Sequence, residues 1–409
     1  MRQGTLVFRF VLLLGCLALA GQAALEAANW PRFRGPNGAG TADDKNIPVQ
    51  FTDKDFLWKT TLPGEGHSSP VIWGDKLFIQ SADASKRMIL CVDVKDGKIL
   101  WNQSEPGSTS KKHSKNSLAS STPATDGERV YCYFWDGKAV SVSAYDMSGT
   151  RLWNHPIGGF TSQHGAGASP VVYDGKVFVN NDQDGKADLI ALDAKTGKPA
   201  WQVPRKPFRA CYSPPFIHNN GLVVASTAGI TSYNPSTGAV NWNWDWKFDG
   251  MALRTIGCPV AGNGLIFVSS GDGGGSRHMV AVKDGGKGLA WENKDKSAAY
   301  VPAMLLSGEH LFWVNDGGIV GCTDAKSGKE IWNQRLPGGS QVSSSPVLIN
   351  GAIYVGREDG TVVVYAAGTA WKQLGTSKLP ERIMSSPAVA DGRLFIRGES
   401  GTLYCIGKK

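Results

Sequence analysis

Gly165-Ala-Gly-Ala-Ser-Pro170-Val-Val-Tyr-Asp-Gly175-Lys-Val-Phe-Val-Asn180, followed after a short polar turn by Leu189-Ile-Ala-Leu-Asp193-Ala-Lys-Thr-Gly197-Lys-Pro-Ala-Trp201, decides the fold. Two apolar runs flank Asp174-Gly175, a dipeptide suited to a two-residue hairpin. A third apolar run ends on Asp193, whose carboxylate is placed to accept backbone N–H bonds in the next turn. Gly197 supplies a positive φ there, and Trp201 opens a fourth strand.

The same line recurs along the chain. The Pro that leads into the first strand stands at 70, 123, 170, 214, 259, 302, 346 and 387. The Trp that closes the unit stands at Trp58, Trp101, Trp153, Trp201, Trp242, Trp291, Trp332 and Trp371. Units of about 40–50 residues with four short strands are the signature of a propeller blade. The two ladders are offset, because Trp58 precedes the first Pro and no Trp follows Pro387. The last unit therefore lacks its outer strand, and Phe56-Leu57-Trp58-Lys59-Thr60-Thr61 is available to supply it. The expected fold is all-β: an eight-bladed β-propeller of four-stranded antiparallel blades, closed when the N-terminal strand completes the C-terminal blade. A ring closed in this way removes its exposed end edges. Each Trp is expected to pack between neighbouring blades with its indole N–H bonded across the gap.

Composition agrees with this. Glycine is abundant at 51 of 409 residues, tryptophan reaches 14, and charged residues are only 19%. Residues 1–28 read as a signal peptide: Arg2 and Arg9, an apolar run over 10–20, then small residues. The expected layout is that leader, an N-terminal extension over 29–51, and one propeller domain over 52–409. Such a chain is exported to the periplasm or cell envelope, with or without an outer-membrane attachment through Cys16. No later run is long and apolar enough to span a bilayer. The other six cysteines lie singly, and Cys91, Cys322 and Cys405 occupy equivalent strand positions, as small buried residues would. The net charge of +8 is spread without a Lys/Arg run, which gives no footprint for nucleic acid.

Sequence patterns for chemistry are sparse. The chain has no HExxH, GxSxG or P-loop, and no residue is assigned a catalytic role. Asp182, Asp184 and Asp188 have oxygen-rich spacing suited to Ca²⁺ but lack the bidentate Glu of an EF-hand loop. A solvated turn is the competing reading. The loops entering the inner strands should open on one face of the ring. Five residues before successive lead prolines stand Glu65, Leu118, Gly165, Arg209, Arg254, Ser297, Gln341 and Arg382. His67, His113 and His164 lie near the same level, and turn acids including Asp136, Asp272, Asp316, Glu358, Asp359 and Glu399 should open beside them. The expected feature is a polar funnel using Glu65, His164, Arg209, Arg254, Gln341 and Arg382, in which Arg209 and Arg254 clamp an anion. Pairing of these arginines with the turn acids is the alternative.

The pattern Ala191-Leu-Asp193-Ala-Lys-Thr-Gly197-Lys-Pro-Ala-Trp201 resembles the tryptophan-docking motif of pyrroloquinoline-quinone (PQQ) repeat propellers. The segment Asn29-Trp-Pro-Arg-Phe-Arg-Gly-Pro-Asn-Gly-Ala-Gly40 resembles the start of exported PQQ-binding-like repeat proteins. The resemblance covers nearly the whole chain after the leader. It implies one of two roles. The first is a non-catalytic, monomeric envelope scaffold of BamB type, working through protein partners and requiring no cofactor. The second is a quinoprotein dehydrogenase holding PQQ and calcium on the axis. The absence of a Cys-Cys pair and of long roofing insertions favours the scaffold.

Overall fold

In the computed structural model, residues 29–408 are described; the predicted leader lies outside them. Eight sheets are formed among the described residues. Blades 1–7 span residues 71–106, 124–159, 171–205, 216–245, 260–293, 305–335 and 347–378. Blade 8 takes three strands from 388–407 and its outer strand from Phe56–Thr61. That strand runs antiparallel to Thr402–Gly407, with Phe56 opposite Ile406 and Thr61 opposite Thr402. The expected closure is therefore present.

Local chemistry builds each blade. In blade 3, Asp174 and Gly175 adopt φ of 48° and 66°, and Tyr173 pairs with Lys176 across the two-residue turn. Positive φ at both positions matches the strand twist. The second and third strands, Lys176–Asn181 and Ala187–Asp193, are almost wholly buried because both faces meet neighbouring blades. The outer strand Pro199–Arg205 alternates between exposed and half-buried residues. Apolar clusters accordingly sit at the seams; one joins Tyr131, Tyr133 and Val142 of blade 2 to Val177, Ile190 and Leu192 of blade 3.

The tryptophans lock those seams. Indole N–H groups of Trp58, Trp101, Trp153, Trp201, Trp291 and Trp332 donate to carbonyls of Val94, Met147, Ala194, Pro235, Ala325 and Gly368 in the following blade, at 2.8–3.2 Å. The turn glycine serves twice: Gly197 has φ 70°, and a Cβ there would lie 2.5 Å from the Trp153 ring. Trp242 lies under Gly286 in the same way. Trp371 departs from the pattern. Blade 7 has a shortened hairpin, and its Trp packs back on Trp332 and Tyr365, with ring centroids 5.6 and 5.1 Å away. It thickens the seam between blades 6 and 7.

Nearer the axis, the hydroxyls before five of the eight lead prolines make a second belt. Ser69 Oγ accepts from Ser386 N, Thr122 Oγ1 from Ser69 N, and Ser169 Oγ from Thr122 N, each at 3.0 Å. Ser386 and Ser345 extend it to blade 6 through Ser345 N and Ala303 N. The belt lapses at Ser213, whose buried hydroxyl has no partner, and where Cys258 and Val301 replace the hydroxyl.

The extension fills that gap. Residues 30–42 cross the axis on the face opposite the inner-strand loops. Trp30 exchanges two backbone bonds with Ile72 of blade 1, and Pro31 O accepts from Thr125 N of blade 2. Asn37 exchanges two bonds with Ile217 of blade 4. Arg32 donates to Pro215 O. The buried Arg34 donates to Met304 O and Pro346 O, which lead into blades 6 and 7, and to its own Gly38 and Ala39 carbonyls. Gly38 abuts Cys258 so closely that a Cβ would lie 2.7 Å from its sulfur. Thr41–Ala42 then adds as a parallel fifth strand to blade 7. The channel is thus plugged from below.

Candidate functional site

With its lower end closed, the axis becomes a blind funnel of about 460 Å³ opening among the inner-strand loops. Phe33 of the plug lies at its floor, with Ile256, Gly257 and hydroxyls such as Ser69 and Ser345 around it. His67, His113, His164, Lys115, Asn116, Tyr212, Tyr300 and Gln341 form the wall.

One side of this wall is self-neutralised. Arg382 sits between Glu358 and Glu399, at 3.1 and 2.9 Å. Glu358 also takes Lys115 at 2.8 Å and the Ser343 hydroxyl, and Glu399 takes His67 at 3.2 Å. Burial nevertheless pushes the His67 pKa down, outweighing the attraction of Glu399. The other side carries charge without acidic partners. Arg254 is only 5% exposed. Its side-chain hydrogen bond is a long one, 3.5 Å from Nη2 to Gln163 Oε1, and its buried Nε has no partner. Arg209 reaches over Met251 to Ala252 O at 3.3 Å, on the loop that bears Arg254. The His113 and His164 rings lie 4.9 Å apart. Burial pushes the His164 pKa down to about 4, with Arg254 adding to the shift, so this imidazole is neutral near pH 7. Burial raises the Tyr212 and Tyr300 phenols to about 12, so both are neutral too.

The expected site residues are therefore split. Gln341 and His164 line the funnel; Arg254 and Arg209 are not lining residues, but both lie close enough for their charges to lower the His164 pKa. Arg382 is engaged by the turn acids Glu358 and Glu399, the alternative given for these arginines. Glu65 is exposed and joins the rim through a backbone bridge to Ala82, away from the cavity. The three aspartates of the Ca²⁺ reading each have protein partners. Asp182 is locked to Arg205 by two bonds at 2.7 and 3.0 Å, Asp184 accepts from Ala210 N, and Asp188 faces Lys186. No cluster of three or more metal-binding side chains occurs among the described residues. The other rim acids are engaged as well: Asp316 by Arg277, Asp136 and Asp272 by turn amides. Sequence reasoning missed Tyr212, Tyr300 and Asn116, which lie two to seven residues from the lead prolines but vary from blade to blade.

Comparison with known proteins gives a consistent placement. Solved structures share the architecture at low sequence identity. BamB from Moraxella catarrhalis superposes with a TM-score of 0.67 at 14% identity, covering 86% of this chain and 98% of that one. A europium-containing methanol dehydrogenase superposes at 0.65 and 14%, covering 91% and 90%. Among curated relatives, outer membrane protein assembly factor BamB of Shewanella oneidensis is 23% identical over 54% of this chain, which spans 56% of that protein's length. The Yersinia pestis BamB is 22% identical over 86% and 88% of the two chains. A polyvinylalcohol dehydrogenase of a Sphingopyxis species is also similar, at 22% over 74% of this chain and 50% of that one. The family profile described as outer membrane protein assembly factor BamB matches residues 39–158, 138–294 and 280–409. These matches take in every blade, and the chain belongs to that family.

Proposed function

We propose that this protein is a non-catalytic binding propeller of the cell envelope that presents its funnel face and rim to a protein partner, as the name of the BamB family suggests for its members. The observation that carries this reading is the state of the rim carboxylates. Asp316, Glu358 and Glu399 are tied to cations, and Asp136 and Asp272 to turn amides, which leaves no free base poised over the cavity among the rim acids named. The rim also carries exposed apolar side chains on adjacent loops, Phe208 at 68% and Met251 at 70% exposure. A photo-crosslinker at position 208 or 251, activated in intact cells, is expected to give one dominant protein adduct. Random labelling at both positions would overturn the reading.

A quinoprotein-type oxidoreductase is the second reading, supported by the funnel's volume and by the dehydrogenases among the similar proteins. The residues present do not fit a calcium-held quinone, because the oxygen ligands that a calcium ion needs are engaged in the ion pairs and turns above. No reaction step is derived through that group. Titration with PQQ, with and without Ca²⁺, separates the readings: a ligand of the native state raises the melting temperature by mass action. No shift is expected.

A further inference from the structure

We propose that the funnel is a binding site for a small organic carboxylate, anchored by Arg254 on its uncompensated side. The inference concerns the cavity itself and does not rest on docking of a protein partner. The other buried arginines each hold at least one carbonyl or carboxylate, although the Nε of Arg32, Arg277, Arg357 and Arg397 has no partner either. Arg34 donates to four carbonyls and Arg87 to the carbonyls of Trp135, Asp83, Lys86 and Ser108. Arg205 and Arg277 hold Asp182 and Asp316 in paired bonds. Arg254 has neither kind of partner, although it is as buried as they are. A guanidinium removed from water without compensation is costly, and an arriving anion removes that cost.

The groups around it leave the positive charge standing. Tyr212, Tyr300, Gln163 and His164 are neutral, and the buried His164 Nδ1 also has no partner. Asp184, the carboxylate whose field reaches His164 and Tyr212, already accepts from Ala210 N at 2.8 Å. Across the cavity, the ion-pair network of Lys115, Glu358, Arg382, Glu399 and His67 balances itself. The buried Arg254, with Arg209 beside it, therefore calls for an anionic group. Guanidinium geometry suits the two oxygens of a carboxylate. Phe33, Ile256, Val301 and Met384 offer apolar surface to an organic body, and Asn116 and Gln341 offer amides. The volume of about 460 Å³ lies in the range of small-molecule sites.

The carboxylate can belong to a free small molecule or to the C-terminus of a chain entering the funnel. Calorimetric titration of the purified protein with benzoate, with the tripeptide Ala-Ala-Phe and with its C-terminal amide distinguishes them; sulfate serves as the inorganic control. Saturable binding of a carboxylate probe is expected, with no binding of the amide and none of sulfate. Benzoate binding more tightly than the tripeptide assigns a free ligand; the reverse order assigns a chain terminus. Arg254→Gln is expected to weaken binding tenfold or more. If that variant fails to fold, Arg254→Lys keeps the charge, loses the paired geometry, and should weaken binding severalfold at an unchanged melting temperature. Absence of saturable binding to both carboxylates, or equal affinity in the Arg254 variants, overturns the proposal, and neither result bears on the crosslinking outcome.

Discussion

At the scale of single residues, the seam tryptophans and the funnel histidines make opposite kinds of contribution. Trp291 is 8% exposed, fills the seam against Gly328 and donates to Ala325 O at 2.8 Å. Trp291→Ala is expected to lower stability by about 3–5 kcal/mol, the usual loss for a buried aromatic ring, read as the urea midpoint at unchanged slope. Trp371→Ala should cost clearly less, because that side chain is half-buried and packs back on a seam that Trp332 already locks. Gly197→Ala tests the other partner of the contact. It combines a φ of 70° with a Cβ only 2.5 Å from a ring carbon, and about 2 kcal/mol or more is expected. The histidines set a pH dependence. The folded pKa values of His67, His164 and His278 are all lowered by burial, to about 4 for His164. As pH falls below about 6.5, the unfolded chain takes up protons that the folded chain refuses, so stability declines down to the folded pKa values. Turn aspartates such as Asp146 and Asp193 are held below their ordinary pKa by hydroxyl and amide donors, and they add a loss only below about pH 4. Urea midpoints between pH 7.5 and 4.5 should therefore fall, and His164→Asn should remove part of that slope while leaving the step below pH 4.

At the scale of elements, the strands and hairpins were legible because each is dictated locally. Asp-Gly and Asn-Gly turns, period-two burial and the Asp-to-Trp spacing all act within a few residues, and eight copies make the pattern unmistakable. Blade 7 shows where this reasoning stops. Its Trp371 keeps the ladder spacing, but the shortened hairpin turns the ring back toward blade 6. The funnel was only half legible for a related reason. Arg254 and Arg382 occupy the same repeat position, and only the neighbouring loops decide that Arg382 meets two glutamates while Arg254 meets none. The registry of the plug was invisible in the sequence, because Arg32 and Arg34 answer carbonyls about 180 to 310 residues away. Arg34→Ala leaves the Met304 and Pro346 carbonyls without their donor in a dry setting. A loss of about 2–4 kcal/mol is expected, measured by denaturant unfolding.

At the scale of the whole molecule, the ring is held by three concentric devices. These are the tryptophan locks outside, the hydroxyl belt nearer the axis, and the plug across the arc where the belt lapses. Closure was foreseeable from the offset of two ladders, since a blade short of one strand and a spare strand at the other end have one economical solution. The axial plug needed the structure. A chain shortened to begin at Leu62 loses the outer strand of blade 8 as well as the plug, and exposes the edge of Thr402–Gly407. Such an edge invites pairing with other chains. Size-exclusion chromatography should show association of this truncated form, whereas the intact protein should not associate through that edge.

Residues 30–42 are made among the first and seated among the last. Their partners lie in blades 1, 2, 4, 6 and 7, so a finished berth exists only after Leu348 has been built and its blade has joined the ring. A nascent chain must keep its leading end unplaced through more than three hundred residues of synthesis. The segment then records completion: a ring with a misordered or missing blade offers Arg34 no matching carbonyls, and its leading end stays open to proteases. In limited proteolysis during refolding, protection at Phe33 should therefore appear after protection of the blades.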